Sequence, residues 1–171
     1  MHYRRVYVPR ASYFLTLTLQ DRQSNLLISK INQLRIAFLQ SQKNHPFTID
    51  GIVVLPDHLH LIMTLPNDEV NYSQRIGFIK SAFSRQFEPG EVINSSKKSK
   101  RERGIWQRRF WEHTIRNEQD YINHMNYLYY NPVKHGYVKT PLQWQYSSIH
   151  RSIHRGDWAT AEAFDSSQFG E

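Results

Sequence analysis

One alternating segment, residues 58–65, constrains the fold of this chain more than any other feature. It reads His-Leu-His-Leu-Ile-Met-Thr-Leu, so a period of two places His58 and His60 on one strand face and the leucines on the other. Residues 47–55 form a second strand-like run, and Pro56 and Asp57 between the two runs favour a tight turn. The sequence therefore predicts a β-hairpin with its leucine face in the core and both imidazoles on the opposite face.

The segments around this hairpin follow an order that is typical of one fold class. Residues 12–20 alternate like a first strand, and residues 29–44 carry apolar side chains at helical spacing behind Ser29, a potential helix cap. A second helix is expected from about residue 71 to the Pro-Gly pair at 89–90, and residues 109–115 are strand-like. This split βαβ order predicts an α+β, ferredoxin-like sandwich, an antiparallel sheet with helices on one face.

A further helix is expected after the fourth strand, as an addition to that unit. Asn117 supplies a cap, acidic residues follow in the first turn, and the Asn-Pro pair at 131–132 ends the segment. At about 100° per residue, Tyr127 falls roughly opposite the apolar stripe that includes Met125 and Leu128. A tyrosine off the core stripe is either a surface residue or a chemically active one, and the pattern leaves both open.

Composition limits the classes of function. The 171 residues fit a single domain, 1–171, and the absence of cysteine excludes disulfides, thiolate metal sites and a thiol nucleophile. No apolar run approaches the roughly 20 residues that span a bilayer, and the N-terminus lacks the apolar part of a secretory signal, so a cytoplasmic protein is expected. The formal net charge of +7 favours a polyanionic partner, either nucleic acid or an anionic membrane surface.

The two histidines and the tyrosine suit phosphoryl transfer. Neighbouring imidazoles on one strand face can bind one metal ion, although a third ligand is needed and such a pair also occurs as ordinary surface histidines. A bound metal withdraws charge from a phosphodiester and orients it for attack by Tyr127, which leaves a phosphotyrosine and a free hydroxyl. Asn131, one helical turn beyond Tyr127, is placed to supply an oxygen as the third ligand.

Two blocks carry a family resemblance. PDHLHLIMTLP resembles the His-hydrophobic-His (HUH) signature of single-tyrosine transposases, and GIWQRRFWEHTIRNEQDYINHMNYLYYNPVKHG resembles the REP-associated tyrosine transposases of bacteria. The similarity runs from the N-terminal YRR segment to about Tyr146. It implies a ferredoxin-like domain, a Mg²⁺ or Mn²⁺ site, and cleavage and strand transfer of single-stranded DNA beside a repetitive extragenic palindrome (REP) hairpin. It also implies a bacterial host and action at the nucleoid.

The resemblance assigns roles to individual residues. It places the metal pair on His58 and His60 and the nucleophile, which would form a 5′-phosphotyrosine, on Tyr127. Related insertion-sequence transposases have a glutamine four residues after the nucleophile, where this chain has Asn131, one methylene shorter. Enzymes of the REP-associated type are expected to complete the site within one chain and to act without mobilising themselves. A monomer is therefore expected, with a helix-exchanged dimer as the alternative.

Most of the positive charge lies in one stretch. Residues 97–109 contain seven basic residues and one acid, and residues 88–104 lack apolar periodicity, which predicts a mobile basic loop. Such a loop is either a DNA contact or a solvated surface. Because Lys and Arg neutralise phosphates, the candidate DNA-contacting residues are Arg4, Arg5, Lys97, Lys98, Lys100, Arg101, Arg103, Arg108 and Arg109.

Two other functions compete with the enzyme. A split βαβ sheet with exposed aromatic residues and a basic loop is also typical of nucleic-acid-binding domains, so a non-catalytic hairpin-binding module is the main alternative. A two-histidine phosphoesterase would need paired His-x-Thr or His-x-Ser motifs. Residues 58–60 read His-Leu-His instead, so the third residue is a histidine and not Thr or Ser. The C-terminal extension from about residue 137 contains aromatic residues that are expected to pack on the domain.

Overall fold

A four-stranded antiparallel sheet organises the residues that the structure, a computed structural model, describes: 10–67, 69–88 and 104–158. Helices connect and cover its strands. In chain order the elements are β1 (Ser12–Thr18), α1 (Leu26–Ser29), α2 (Ile31–Asn44), β2 (Thr48–Val54), β3 (His58–Thr64), α3 (Tyr72–Ser84), β4 (Trp111–Thr114), α4 (Glu118–Lys134), a 3₁₀ turn (Pro141–Gln143) and α5 (Ile149–His154).

The strands lie in the order β2-β3-β1-β4, and each pairs antiparallel with its neighbours. The predicted hairpin of β2 and β3 is confirmed, with a register irregularity between Ile49 and Gly51. In the central pair, Thr16 of β1 lies opposite His60 of β3, and Thr18 lies opposite His58. The outer edge of β2 is covered by the C-terminal segment, since the Val54 amide donates to the Tyr146 carbonyl at 2.9 Å.

Two apolar clusters cover the two faces of the sheet. On one face, the leucines of β1 and β3 pack with α2 and α3, as the alternation of β3 predicts. On the other face, Phe14, Val53 and Ile62 pack against Met125 and Leu128 of α4 and against α5. The two histidines of β3 share this second face, so α4 covers the histidines as well as the apolar residues beside them.

Two predictions about helix α2 are wrong. Ser29 is not its cap: this residue ends α1, its hydroxyl donates to the Leu26 carbonyl at 3.3 Å, and α2 begins at Ile31. The helical spacing of apolar residues in this segment also includes Ile36 and Leu39, but these side chains are 45% and 65% exposed, so the buried stripe is narrower than the spacing predicts. Helix α2 buries only the narrower face that reaches the sheet and α3.

Helix α4 begins as predicted and ends later. The Asn117 side chain caps it by accepting from the Asp120 amide at 2.9 Å, but the helix continues through Pro132 to Lys134. A proline removes one intrahelical hydrogen bond, and the turns on either side supply enough others to continue the helix. Gly136, with φ of +74°, then ends it: its amide donates to Val133 and the Tyr137 amide to Pro132, a Schellman motif.

The C-terminal extension packs on the domain as expected. The Trp144 indole donates to the Val54 carbonyl at 2.9 Å, and the Tyr129 hydroxyl lies 2.6 Å from the Ser152 hydroxyl of α5. Trp158 packs edge-on against Tyr129. Within the described ranges, no helix has the length and apolar character needed to cross a membrane.

Candidate functional site

A cavity of about 520 Å³ opens on the second face of the sheet, beside α4. Strands β1, β3 and β4 form its floor and one wall. Helix α4 and His135, which caps the C-terminal end of α4, form the other wall. The residues that matter for the chemistry below are His58, His60, Trp111, His124, Tyr127 and His135. The structure thus brings the predicted histidine pair and the predicted nucleophile into one site.

His58 is held by a buried carboxylate. Its ring is almost fully buried, and Nδ1 lies 2.8 Å from Oδ1 of Asp57, which itself pairs with Arg22. Burial tends to raise the pKa of Asp57, but the hydrogen bonds from His58 and Arg22 outweigh it and lower the pKa. An ionised Asp57 accepts a hydrogen bond from the Nδ1–H of His58, which leaves Nε2 of His58 as the ligand nitrogen.

His60 is buried beside it, with ring centroids 5.1 Å apart. Its Nδ1 lies 2.9 Å from the Thr16 hydroxyl, while its Nε2 has no hydrogen-bond partner among the described residues. Burial lowers the pKa of His60 well below its usual value, and the neighbouring His58 acts in the same direction. His60 is therefore neutral at neutral pH, which is the form that binds metal.

Asn131 completes a set of buried polar atoms without partners. The residue is 1% exposed, and neither its amide oxygen nor its amide nitrogen has a partner within the described part of the chain. The Asn131 amide lies close enough to His60 to act against the lowering of the His60 pKa, but the two side chains do not form a hydrogen bond. Two imidazole nitrogens and one amide oxygen are ligands that Mn²⁺ accepts and that Mg²⁺ accepts with further oxygens.

Tyr127 lies over the histidine pair. Its ring centroid is 5.3 Å from that of His60 and 5.8 Å from that of Phe14, and the Lys134 ammonium is 5.2 Å from the ring centre. The prediction that Tyr127 lies opposite the core stripe is wrong in detail. Helix α4 presents a broad face to the sheet, so Tyr127 is half-buried at the margin of the second apolar cluster.

Several site residues were missed from the sequence. The His135 ring lies 5.1 Å from that of His58, where the late end of α4 places it. Thr16 reaches the site from β1, and Arg22 reaches it from the loop that follows β1. Asp57, which adjoins the histidine motif, carried a usable signal, since metal-bound imidazoles commonly donate their other nitrogen to a carboxylate. The prediction assigned Asp57 only to the turn.

His113, Asp120 and His124 form a second group, with ligand atoms that all lie within 4.8 Å of one another. Their spacing is compatible with a metal ion, but hydrogen bonds already join them: His113 Nε2 lies 2.9 Å from Asp120 Oδ2, and His124 Nδ1 donates to the Asp120 backbone carbonyl at 2.8 Å. Burial tends to raise the pKa of Asp120, and the bonds from His113 and the Arg116 amide outweigh it and lower the pKa. This group is therefore a satisfied network, unlike the atoms around His60.

The predicted DNA-contacting residues fall mostly outside the described residues. Arg108 and Arg109 are described, and both are exposed. Arg108 also lines a polar cavity of about 500 Å³ with Lys80 and Arg85, two basic residues that the sequence did not single out. The predicted positions that lie outside the described ranges are Arg4, Arg5, Lys97, Lys98, Lys100, Arg101 and Arg103.

Comparison with known proteins places this architecture in a family. The model of the IS200-like transposase family matches residues 7–130. A REP-associated tyrosine transposase of Escherichia coli K12 is 40% identical over 161 residues, which cover 92% of this chain and 90% of that protein. A Haemophilus influenzae protein assigned to the same group is 47% identical over 154 residues, which cover 89% of this chain and 87% of that protein.

The fold agrees with that match. A solved structure of a REP-associated tyrosine transposase bound to a REP hairpin has a TM-score of 0.81 and 38% identity to this chain. The alignment covers 97% of this chain and 95% of that one. The chain therefore belongs to the IS200-like transposase family and, within it, to the REP-associated tyrosine transposases.

Proposed function

We propose that the chain is a metal-dependent endonuclease and strand-transferase that acts on single-stranded DNA beside REP-type hairpins through a covalent 5′-phosphotyrosine. The observation that carries the proposal is the position of Tyr127, whose ring centroid lies 5.3 Å from that of His60. The buried Nε2 of His60 has no hydrogen-bond partner in the described part of the chain. A nucleophile beside unpartnered metal ligands is the arrangement that metal-assisted phosphoryl transfer needs.

In this mechanism, the Tyr127 hydroxyl attacks the scissile phosphorus. The tyrosine oxygen forms a bond to phosphorus, the bond to the 3′-oxygen breaks, and the phenolic proton passes to solvent while the 3′-oxygen gains a proton. Phosphoryl transfer depends chiefly on positioning and charge stabilisation, and burial of Tyr127 against Phe14 and His60 restricts its ring. Attack by another 3′-hydroxyl on the phosphotyrosine reverses the chemistry and joins strands without ATP.

His58, His60 and Asn131 would hold the cation, either Mg²⁺ or Mn²⁺. When bound, the cation supplies Lewis-acid stabilisation to a nonbridging phosphate oxygen. Asp57 and Thr16 orient the two imidazoles through their Nδ1 atoms, so that both Nε2 atoms are available as ligands. Asn131 takes the place of the longer glutamine of related transposases, and its buried, unpartnered oxygen supports a ligand role.

A hairpin is the proposed DNA partner because the relative with a solved structure is bound to a REP hairpin and aligns over nearly the whole chain. We assign the phosphate contacts to Arg108 and Arg109 together with the basic residues outside the described ranges. We further propose a single ferredoxin-like domain with α4 added, supported by the strand order, in which β3 lies between β1 and β2. Helix α4 packs on the sheet of its own chain, which supports a monomer.

The alternative, a non-catalytic hairpin-binding module, makes no use of the buried atoms around His60. In a module without a cation, unpartnered buried polar atoms would only destabilise the domain. We therefore favour the enzyme over the binding module.

A metal-dependent cleavage assay separates the two functions. A REP hairpin with single-stranded flanks is incubated with the protein in Mg²⁺, Mn²⁺ or EDTA, and the products are separated on a denaturing gel. We expect cleavage with either metal, none in EDTA, and none for His60→Ala, with hairpin binding preserved. Binding without cleavage under all metal conditions would instead support the binding module.

A further inference from the structure

An aromatic surface at the mouth of the cavity has no part in the chemistry above. Trp111 of β4 is 54% exposed, although it is a large apolar side chain. It lines the same cavity as Tyr127, and its ring meets the ring of Phe14 edge-on at 5.7 Å. An exposed indole in the wall of the cavity fits a ligand with a flat apolar face.

The rings beside Trp111 are held in fixed orientations. His113 lies nearly parallel to the indole at 8°, with centroids 6.1 Å apart, and His124 stacks on His113 at 4.4 Å. Asp120 holds both imidazoles, His113 through its carboxylate and His124 through its backbone carbonyl. Because these rings are fixed before a ligand binds, stacking on this surface requires little further ordering of side chains.

Positive charges stand at both ends of β4. Arg108 and Arg109 precede the strand and Arg116 follows it, and all three are exposed. None of the three forms an ion pair with a residue in the described ranges. A flat aromatic surface between exposed cations matches the two parts of a nucleotide, a π-faced base and a phosphate.

We infer that Trp111 is the stacking site for one unpaired nucleobase of the DNA strand that Tyr127 cleaves, with Arg108, Arg109 and Arg116 contacting its flanking phosphates. The inference rests on the proposed function and adds a base-binding position to it. The centroid distances from Trp111 to Phe14 and from Phe14 to Tyr127, 5.7 Å and 5.8 Å, place the indole within about 12 Å of the centre of the Tyr127 ring. A few nucleotides span that distance, since a strand advances about 3.4 Å per nucleotide in B-form DNA.

The test is an abasic-site scan in full-length protein. A set of REP hairpins is made, each lacking one base at a different position within four nucleotides of the cleaved bond. The affinity for each hairpin is measured with three proteins, all of which carry Tyr127→Phe to prevent cleavage. One retains Trp111, one carries Trp111→Phe and one carries Trp111→Ala. Leu39→Ala is the control for loss of an exposed apolar side chain, since Leu39 is 65% exposed on α2, across the sheet.

Trp111→Ala should weaken binding roughly 5- to 100-fold, and Trp111→Phe less, while Leu39→Ala has no effect. In the protein that retains Trp111, loss of the base at one position should weaken binding by a similar factor. In Trp111→Ala, loss of the same base should leave the affinity unchanged. The salt dependence of binding should not change, because no charge is lost. Abasic costs that are the same in both proteins would overturn the inference. Failure of the proposed function is distinguishable, because protein with an intact Tyr127 would then not cleave the hairpin at all.

Discussion

Asn131 is buried in α4 with both polar atoms of its amide unpartnered among the described residues. Each unsatisfied buried polar group costs about 1–3 kcal/mol of folding free energy. A cation bound by His58, His60 and the amide oxygen would remove part of that penalty. The residue therefore links the stability of the domain to the proposed metal site, and the two effects can be measured separately.

Asn131→Leu should change stability and metal binding in opposite directions. The substitution keeps the number of side-chain heavy atoms and removes both unpartnered polar atoms, so the metal-free domain should gain about 1–3 kcal/mol in unfolding free energy. It also removes the proposed oxygen ligand, so Mn²⁺ affinity should fall. Urea unfolding in EDTA and calorimetric titration with Mn²⁺ measure the two effects. Asn131→Asp, which keeps an oxygen of the same reach, should retain binding, and a less stable Asn131→Leu protein would contradict the account.

At the scale of elements, the end of α4 determines the shape of the site. Because the helix runs through Pro132 to Lys134, His135 comes to lie 5.1 Å from His58, ring to ring. Gly136 makes this end possible, since its φ of +74° is unfavourable for any residue with a side chain.

Two glycine substitutions should have opposite signs. Gly136→Ala should destabilise the domain by about 1 kcal/mol, because a left-handed backbone brings Cβ close to a carbonyl oxygen. Gly77→Ala is the matched control: beyond its own helix backbone and chain neighbours, no atom of the described residues lies within 4 Å of a Cβ added at Gly77 in α3, so alanine should stabilise the helix by about 0.8–1 kcal/mol. Denaturant unfolding of both variants checks the pair. A neutral or stabilising Gly136→Ala would show that the turn does not constrain this end of the helix.

The sequence predicted the elements whose signals are local. The alternation of residues 58–65 placed both histidines on one face, and Asn117 marked the start of α4. The contacts of Thr16 and Arg22 were not predictable, because they depend on the register of β1 against β3 and on a loop. The extent of α4 was missed because proline is a statistical stop signal, whereas the glycine motif four residues later ends the helix here.

At the scale of the molecule, positive charge is concentrated in one stretch of the sequence, residues 97–109. Arg108 and Arg109 lie just before β4, and five further basic residues fall in residues 97–103. Basic side chains that contact the phosphates of a bound strand neutralise them and release counterions. DNA binding should accordingly weaken steeply as salt rises.

Neutralising these charges should flatten that dependence. Each lost phosphate contact should reduce the log–log slope of affinity against salt by roughly 0.7 to 0.9. Arg108→Gln with Arg109→Gln tests the described pair, and a second variant neutralises Lys97, Lys98, Lys100, Arg101 and Arg103. Arg35→Gln with Lys43→Gln, both exposed on α2, is the control for the Arg108 and Arg109 variant, with the same loss of two charges on the other face of the sheet. A slope that falls equally in the control would assign the effect to net charge and not to contacts.

The most direct test of the account is whether Tyr127 becomes covalently attached to DNA. A REP hairpin labelled on the fragment that retains the scissile 5′-phosphate is incubated with protein and Mg²⁺ or Mn²⁺, then run on a denaturing gel. The account predicts a labelled protein–DNA adduct that Tyr127→Phe abolishes without loss of stability. Tyr121→Phe on the same helix is the control, since burial raises the pKa of Tyr121 to about 12 and makes it a poor nucleophile. An adduct that survives Tyr127→Phe, or cleavage by the unaltered protein without any tyrosine-linked intermediate, would contradict the central claim.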